Sequence, residues 1–377
     1  MSTALTSEQT DLRNAVADLM IRRCPQTEVR RLMDTASGHN PTLWSTLAEM
    51  GVLGLVIPEE FGGSGGGAAE LAVAAEQLGR ALFCGPYLST AVLTPYLLLA
   101  LGDEVECAAV LPRIASGELV ATVAYAESPT GSARPPQHPG TVAEATADGW
   151  RLTGEKTYVL DAQSADRFYV QAETASSASV FVVDRRATGL TMTPLETVDQ
   201  TRKQGRVVLT GAPARLVGAR GAAAGALESA LDRAAVALIA EQAGGAMHAM
   251  RMATDYARNR YQFGRAIGSF QAVKHLCVEM LIQAESAVSA ARHVAAAFDA
   301  GTPDRHADLA LAQAYCSDAF VSVAADNIQV HGGIGFTWEH PAHLYLRRAR
   351  TDAQIFGDPS WHRERYVRLR EENRCPR

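Results

Sequence analysis

An arginine near the end of one helical run and the opening of the next stand close enough to hold a phosphate in the stretch Tyr256-Ala-Arg-Asn-Arg260-Tyr-Gln-Phe263-Gly264-Arg-Ala-Ile-Gly-Ser-Phe270-Gln271. Ahead of Arg260, the residues Met247, Met250, Ala253, Tyr256 and Ala257 keep the three- and four-residue spacing of one helix face. Gly264 is the expected helix stop. Ser269 is the expected N-cap of a second helix, with Gln271 in its first turn ahead of Val273, Leu276, Cys277 and Met280. A guanidinium at the end of one helix, beside the opening of the next, makes a pocket for an oxyanion. A surface helical hairpin with a solvated arginine is the other reading of the same spacing.

The elements that must carry this block belong to a chain of 377 residues, long enough for two or three domains. Apolar residues make up 47% and charged residues 20%, as in ordinary globular proteins. A net charge of -6 and a pI near 6.0 argue against nucleic-acid binding. No window approaches the length of uncharged apolar sequence that crosses a bilayer, and the first eight residues are polar, so neither a membrane span nor a signal peptide is expected. The cysteines at 24, 84, 107, 277, 316 and 375 form no CxxC and read as reduced thiols of a cytoplasmic protein.

In chain order, 5–51 reads as two packing helices, and Leu55-Val-Ile-Pro58 runs into a glycine-rich turn that lacks the Gly-Lys-Ser/Thr of a phosphate loop. Helices are expected over 68–82, 91–101 and 105–116. From Leu119 the period changes. Short β-type runs at Val120–Tyr125, Trp150–Tyr158, Phe168–Gln171, Val180–Val183, Leu190–Pro194 and Val207–Thr210 are separated by polar turns. Long helices then follow near 226–258, 269–299, 304–330 and 341–372. The expectation is an α+β chain: an N-terminal helical domain over 1–118, a middle β domain over 119–218 and a C-terminal four-helix bundle over 219–377.

A second block, Gln329-Val-His-Gly332-Gly333-Ile-Gly335-Phe336, places three glycines after a helix, where backbone can approach a ligand or another chain closely. A helix C-cap followed by a turn explains the same residues. Together the two blocks resemble the Arg-x-x-Phe-Gly, Phe-Gln and Gln-x-x-Gly-Gly signatures of the acyl-CoA dehydrogenase family, over nearly the whole chain. The resemblance implies FAD as cofactor, with Arg260, Phe263, Gln271, Gln329 and Gly333 on its diphosphate and adenosine end, reaching mainly into the neighbouring subunit.

The flavin-ring motifs match in part. The family's Thr-Glu-Pro-x-x-Gly-Ser reads Ala126-Glu127-Ser-Pro-Thr-Gly131-Ser132, and its Asn-Gly-x-Lys-x-Trp-Ile-Thr reads Thr153-Gly154-Glu-Lys156-Thr-Tyr158-Val-Leu160. The resemblance gives Tyr158 a stacking role and Ser132 a contact with flavin or CoA. Ala126 and Leu160 have no hydroxyl to offer. Asp232 matches the position that bonds the pantetheine arm of CoA, and a solvated helix aspartate is the other reading.

Desaturating an acyl thioester requires a carboxylate to remove the α-proton, an effect typically worth about 10²–10⁴-fold. The family's usual base aligns with Phe356, and an alternative base position aligns with Ala234. Two turns on from Ala234 stands Glu241, in the Ala-Glu-x-x-Gly pattern of a bacterial subgroup common among steroid-degrading actinobacteria, and Glu241 is the expected base. A buried, paired glutamate is the other reading. The proline between His340 and His343 spoils a helical metal pair, no metal is expected, and no Gly-x-Ser-x-Gly occurs.

The resemblance implies FAD-dependent conversion of an acyl-CoA, such as a bulky steroid side-chain thioester, to the trans-2-enoyl-CoA. Electrons would pass to electron-transfer flavoprotein, and the assembly would be a homo- or heterotetramer with a second dehydrogenase-like chain. Two alternatives stay open: a non-catalytic subunit completing a partner's FAD site, or a flavin monooxygenase on the same fold.

Overall fold

A computed structural model describes residues 4–127, 134–175 and 177–374. It shows a helical N-terminal segment, a middle sheet and a helical C-terminal segment. The helices are α1 (Ser7–Arg23), α2 (Gln26–Met33), α3 (Pro41–Glu49), α4 (Ala68–Arg80), α5 (Thr94–Leu101), α6 (Glu104–Ala115), α7 (Ala223–Asn259), α8 (Gln271–Asp299), α9 (Arg305–His331), α10 (Ala342–Asp352) and α11 (Pro359–Arg374). The strands are β1 (Ala121–Ala124), β2 (Val142–Thr146), β3 (Gly149–Leu160), β4 (Arg167–Glu173), β5 (Ala178–Asp184), β6 (Leu190–Pro194), β7 (Gln204–Val217), β8 (Tyr261–Gln262) and β9 (Arg265–Ala266).

By contacts the chain forms two compact units: one from residues 1–29, 68–83 and 235–377, the other from 30–67 and 84–234. In the second unit the strands pair in the order β4–β2–β3–β7–β5, and β5 returns antiparallel to β4, so the sheet closes on itself. Closure leaves the inward alternate residues, among them Leu152, Phe168, Val170, Phe181, Val183, Val207 and Leu209, to fill its core. β1 adds parallel to β4, and β6 adds antiparallel to β7.

In the first unit the long helices bury an alanine-rich face, which lets backbones come close. Gly79 on α4 lies against Glu241 of α7, where an added Cβ would be 2.0 Å from the Glu241 carbonyl oxygen. Gly244 faces the Glu76 carbonyl at 1.9 Å on the same construction. Any side chain at either position would push α4 off α7. This crossing fixes where the Glu241 side chain leaves its helix.

Two expectations change. Residues 5–51 hold three helices rather than two, because Pro25 follows the end of α1 and its ring cannot continue that helix. The single helix expected over 341–372 is divided into α10 and α11. Between them Phe356 and Gly357 take φ of 63° and 116°, outside the right-handed helical region, and Pro359 restarts the helix without an amide hydrogen.

Candidate functional site

Three helix ends of the first unit meet where the sequence placed the nucleotide residues. At the end of α7 the chain turns through the β8–β9 hairpin, registered Tyr261 to Ala266 and Gln262 to Arg265. Phe263 and Gly264 take φ of 53° and 78°, the pair of positive values a tight two-residue hairpin turn needs. The chain then returns. The Ile267 amide donates to the Arg260 carbonyl at 2.8 Å, and Gly268 presses on the Ala257 carbonyl, 2.9 Å from where a Cβ would sit.

α8 therefore starts beside the end of α7. Its N-cap is Phe270, not the expected Ser269, which falls in the preceding 3₁₀ turn. No side chain caps α8, so its first-turn amides keep their hydrogens available to a ligand. The end of α9 is tied to the same place by His331, whose ring stacks on Tyr256 with centroids 4.3 Å apart and whose Nδ1 lies 2.8 Å from the Asn327 carbonyl oxygen.

Arg260, Phe263, Gln271, Gln329 and Gly333 are all exposed here, Phe263 to 90%. A Cβ at Gly333 would meet nothing within 4 Å. The uncapped amides and the Arg260 guanidinium fit a diphosphate, and the open backbone at Gly333, two residues past His331, leaves room for a flat base. The residues present fit the nucleotide half of FAD.

In the second unit, Glu127, three residues past β1, is held beside the residues that precede β2. Its carboxylate accepts from Lys156 Nζ and from the Gly140 and Thr141 amides, the last at 2.9 Å. Burial pulls the Lys156 ammonium down to about 8, against the opposing pull of Glu127. Burial acts to raise Glu127, but Lys156 and Thr141 outweigh it and hold its carboxyl below the usual range. Beyond Lys156 the register with β7 slips, and Tyr158 takes φ of 51° and turns its ring out, half-exposed, while Leu160 is buried. Ser132 lies outside the described residues.

Asp232 is buried, with Oδ1 2.9 Å from Arg134 Nη2, and both side chains are largely shielded from water. The arginine was missed because nothing about a single cation in Ser-Ala-Arg134-Pro-Pro points to a partner about a hundred residues away.

Glu241, also buried, pairs through Oε1 with Nη1 of Arg348 on α10. Arg348 Nη2 donates to the Phe83 carbonyl at 3.2 Å. Arg348 too went unnoticed, although Tyr345 and Arg348, one helical turn apart, are both buried. Phe356 is fully buried and supplies no acid or base. Among the described residues, no group of three or more His, Cys, Asp or Glu side chains could hold a metal, and no helix is long and apolar enough to cross a membrane.

Residues 6–118 match the family model for the acyl-CoA dehydrogenase N-terminal domain, and residues 223–368 match that for the acyl-CoA dehydrogenase C-terminal domain. The chain belongs to the acyl-CoA dehydrogenase family. It is an FAD-dependent oxidoreductase of the EC 1.3 class. Acyl-CoA dehydrogenase IpdE2 of Mycolicibacterium smegmatis is 33% identical over 370 residues, 98% of this chain and 99% of that one. FadE34 of Mycobacterium tuberculosis is 37% identical over 308 residues, 81% of this chain but 39% of its own length. Among solved structures, a variant of the Tcur3481–Tcur3483 steroid ACAD superposes with a TM-score of 0.86 at 30% identity, covering 97% of this chain and 98% of that one. One chain of the ChsE4–ChsE5 complex from Mycobacterium tuberculosis gives 0.89 at 29% identity, covering 100% of this chain and 100% of that one.

Proposed function

We propose that this acyl-CoA dehydrogenase desaturates a bulky acyl-CoA thioester, of the steroid side-chain class, to the trans-2-enoyl-CoA, with Glu241 as the base that takes the α-proton. The observation that carries the reading is a buried carboxylate at Glu241, with Phe356 at the usual base position unable to take a proton. FAD, when bound, accepts the hydride leaving the β-carbon. Asp232 is read as a contact of the CoA arm, Ser132 as a contact of flavin or CoA, and Tyr158 as the ring beside the flavin. Electron-transfer flavoprotein is the proposed acceptor. Similarity to IpdE2 and to the steroid ACAD supports the substrate class. The family matches over 6–118 and 223–368 support reading 1–118, 119–218 and 219–377 as the three domains. The free thiols at Cys24, Cys84, Cys107, Cys277 and Cys316 support a cytoplasmic setting.

A second reading is favoured by one observation: the Glu241 carboxylate is engaged by Arg348. The chain would then complete the FAD site of a partner within a heterotetramer, offering Arg260, Phe263, Gln271, Gln329 and Gly333 to the partner's nucleotide. Likeness to one chain of the ChsE4–ChsE5 complex supports a two-chain assembly.

The test is the visible spectrum and FAD stoichiometry of the chain alone and co-expressed with a dehydrogenase-like partner, followed by Glu241→Gln. The first reading expects flavin bleached by a steroid side-chain CoA thioester, and turnover lost in Glu241→Gln with flavin retained. Turnover retained in that variant would overturn Glu241 as the base, and a chain that is colourless alone and gains flavin only with the partner would favour the second reading.

A further inference from the structure

Four arginines that the dehydrogenation does not use converge in the first unit. Arg13 of α1, Arg80 of α4, Arg251 of α7 and Arg292 of α8 line a cleft of about 270 Å³ together with Glu76 and Glu285. Two carboxylates face four guanidiniums, and their engagement is weak. Glu76 comes no nearer than 3.7 Å to Arg292 Nη2, and Arg292 Nε is buried without a hydrogen-bond partner. The side chains of Arg80 and Arg251 make no ion pair or hydrogen bond with any described residue. Both cations bear on His248, which burial and then these two arginines hold down to about 4.

Through Ala17, Gln77 and Arg80, which line both, the cleft continues into a second pocket of about 170 Å³. Its other walls, Met20, Ile21, Cys24, Ala81 and Tyr345, are mostly apolar. One end therefore sets four guanidiniums against the two carboxylates Glu76 and Glu285, a net positive charge, and the other offers apolar surface to a short tail. Guanidiniums bind oxyanions through paired N–H groups, and several around one point favour a dianion over a monoanion.

We propose that this bipartite cleft binds a small organic phosphate monoester, its phosphate among Arg80, Arg251 and Arg292 and its apolar part against Met20, Ile21 and Tyr345. The site is separate from the nucleotide end. Arg251 stands nine residues before Arg260, about 13 Å along α7.

The experiment is calorimetric titration of the FAD-loaded, full-length protein, so that the cofactor's own phosphates are already accounted for. The probes are butyl phosphate, inorganic phosphate and butanol. Expected are saturable binding of butyl phosphate, weaker binding of inorganic phosphate, no binding of butanol, and affinity that falls with added salt. Arg251→Gln, an exposed position that leaves folding intact, weakens butyl phosphate roughly tenfold or more, and Arg80→Gln adds to the loss. Undiminished binding in the double variant, or no saturable binding to the unaltered protein, overturns the site. Equal affinity for inorganic and butyl phosphate overturns the apolar half of the assignment.

Discussion

Arg348 holds Glu241 with one guanidinium nitrogen and the Phe83 carbonyl with the other, so a side chain on α10 fixes the one carboxylate proposed for catalysis on α7. The pair is buried on both sides. Breaking such a pair strands a charge in a poorly solvated place, which costs more than the pair contributes.

Arg348→Met should therefore destabilise the protein by roughly 3–5 kcal/mol, and adding Glu241→Gln should recover part of that loss. Denaturant unfolding of the two single variants and the double variant measures the coupling. Additive losses would mean that the two side chains do not depend on each other.

Arg260→Gln should weaken FAD by roughly tenfold or more, because the diphosphate loses a charged partner beside the uncapped start of α8. The side chain is exposed, so far-UV circular dichroism should not change. Flavin absorbance per chain after gel filtration reads the effect, and full flavin content in the variant would remove Arg260 from the cofactor site.

Lys156→Met leaves Glu127 with only backbone donors and should cost roughly 2–3 kcal/mol, after allowance for the partial exposure of Glu127. The sheet should open first. Hydrogen exchange at Gly140 and Thr141, which precede β2 and whose amides donate to Glu127, should rise more than in β2 itself. Uniform exchange would contradict the local role.

His248 makes stability depend on pH with a definite sign. It stacks on Tyr345 of α10, with ring centroids 5.2 Å apart, and feels Arg80 of α4 together with Arg251 and Asp255 of its own helix. The folded value of about 4 lies below the ordinary 6.5, so between these values the unfolded chain holds a proton that the folded chain does not. Stability should fall as pH drops from about 6.5 to about 4, by about 1.4 kcal/mol per unit of the pKa difference for this group. His248→Gln should flatten the unfolding profile in that window, and an unchanged slope would assign it to other groups.

Much of the architecture was legible in the chain itself. Period-2 runs between 120 and 210, and long alanine-rich periodic runs after 226, report which face of each element is buried, and burial is what organises the helices and strands. The motifs around Arg260 and Gln329 were legible because the residues of each lie close together in sequence, where spacing on a helix end already implies position. The closure of the sheet through β5 and β4, the α4–α7 crossing at Gly79 and Gly244, the pairs Glu241–Arg348 and Asp232–Arg134, and the arginine cleft were not. Apart from the β4–β5 hairpin, each joins residues tens to hundreds of positions apart, and nothing local to one partner names the other. Only packing brings those charges and backbones together, and packing also decides whether a carboxylate such as Glu241 faces a guanidinium or water.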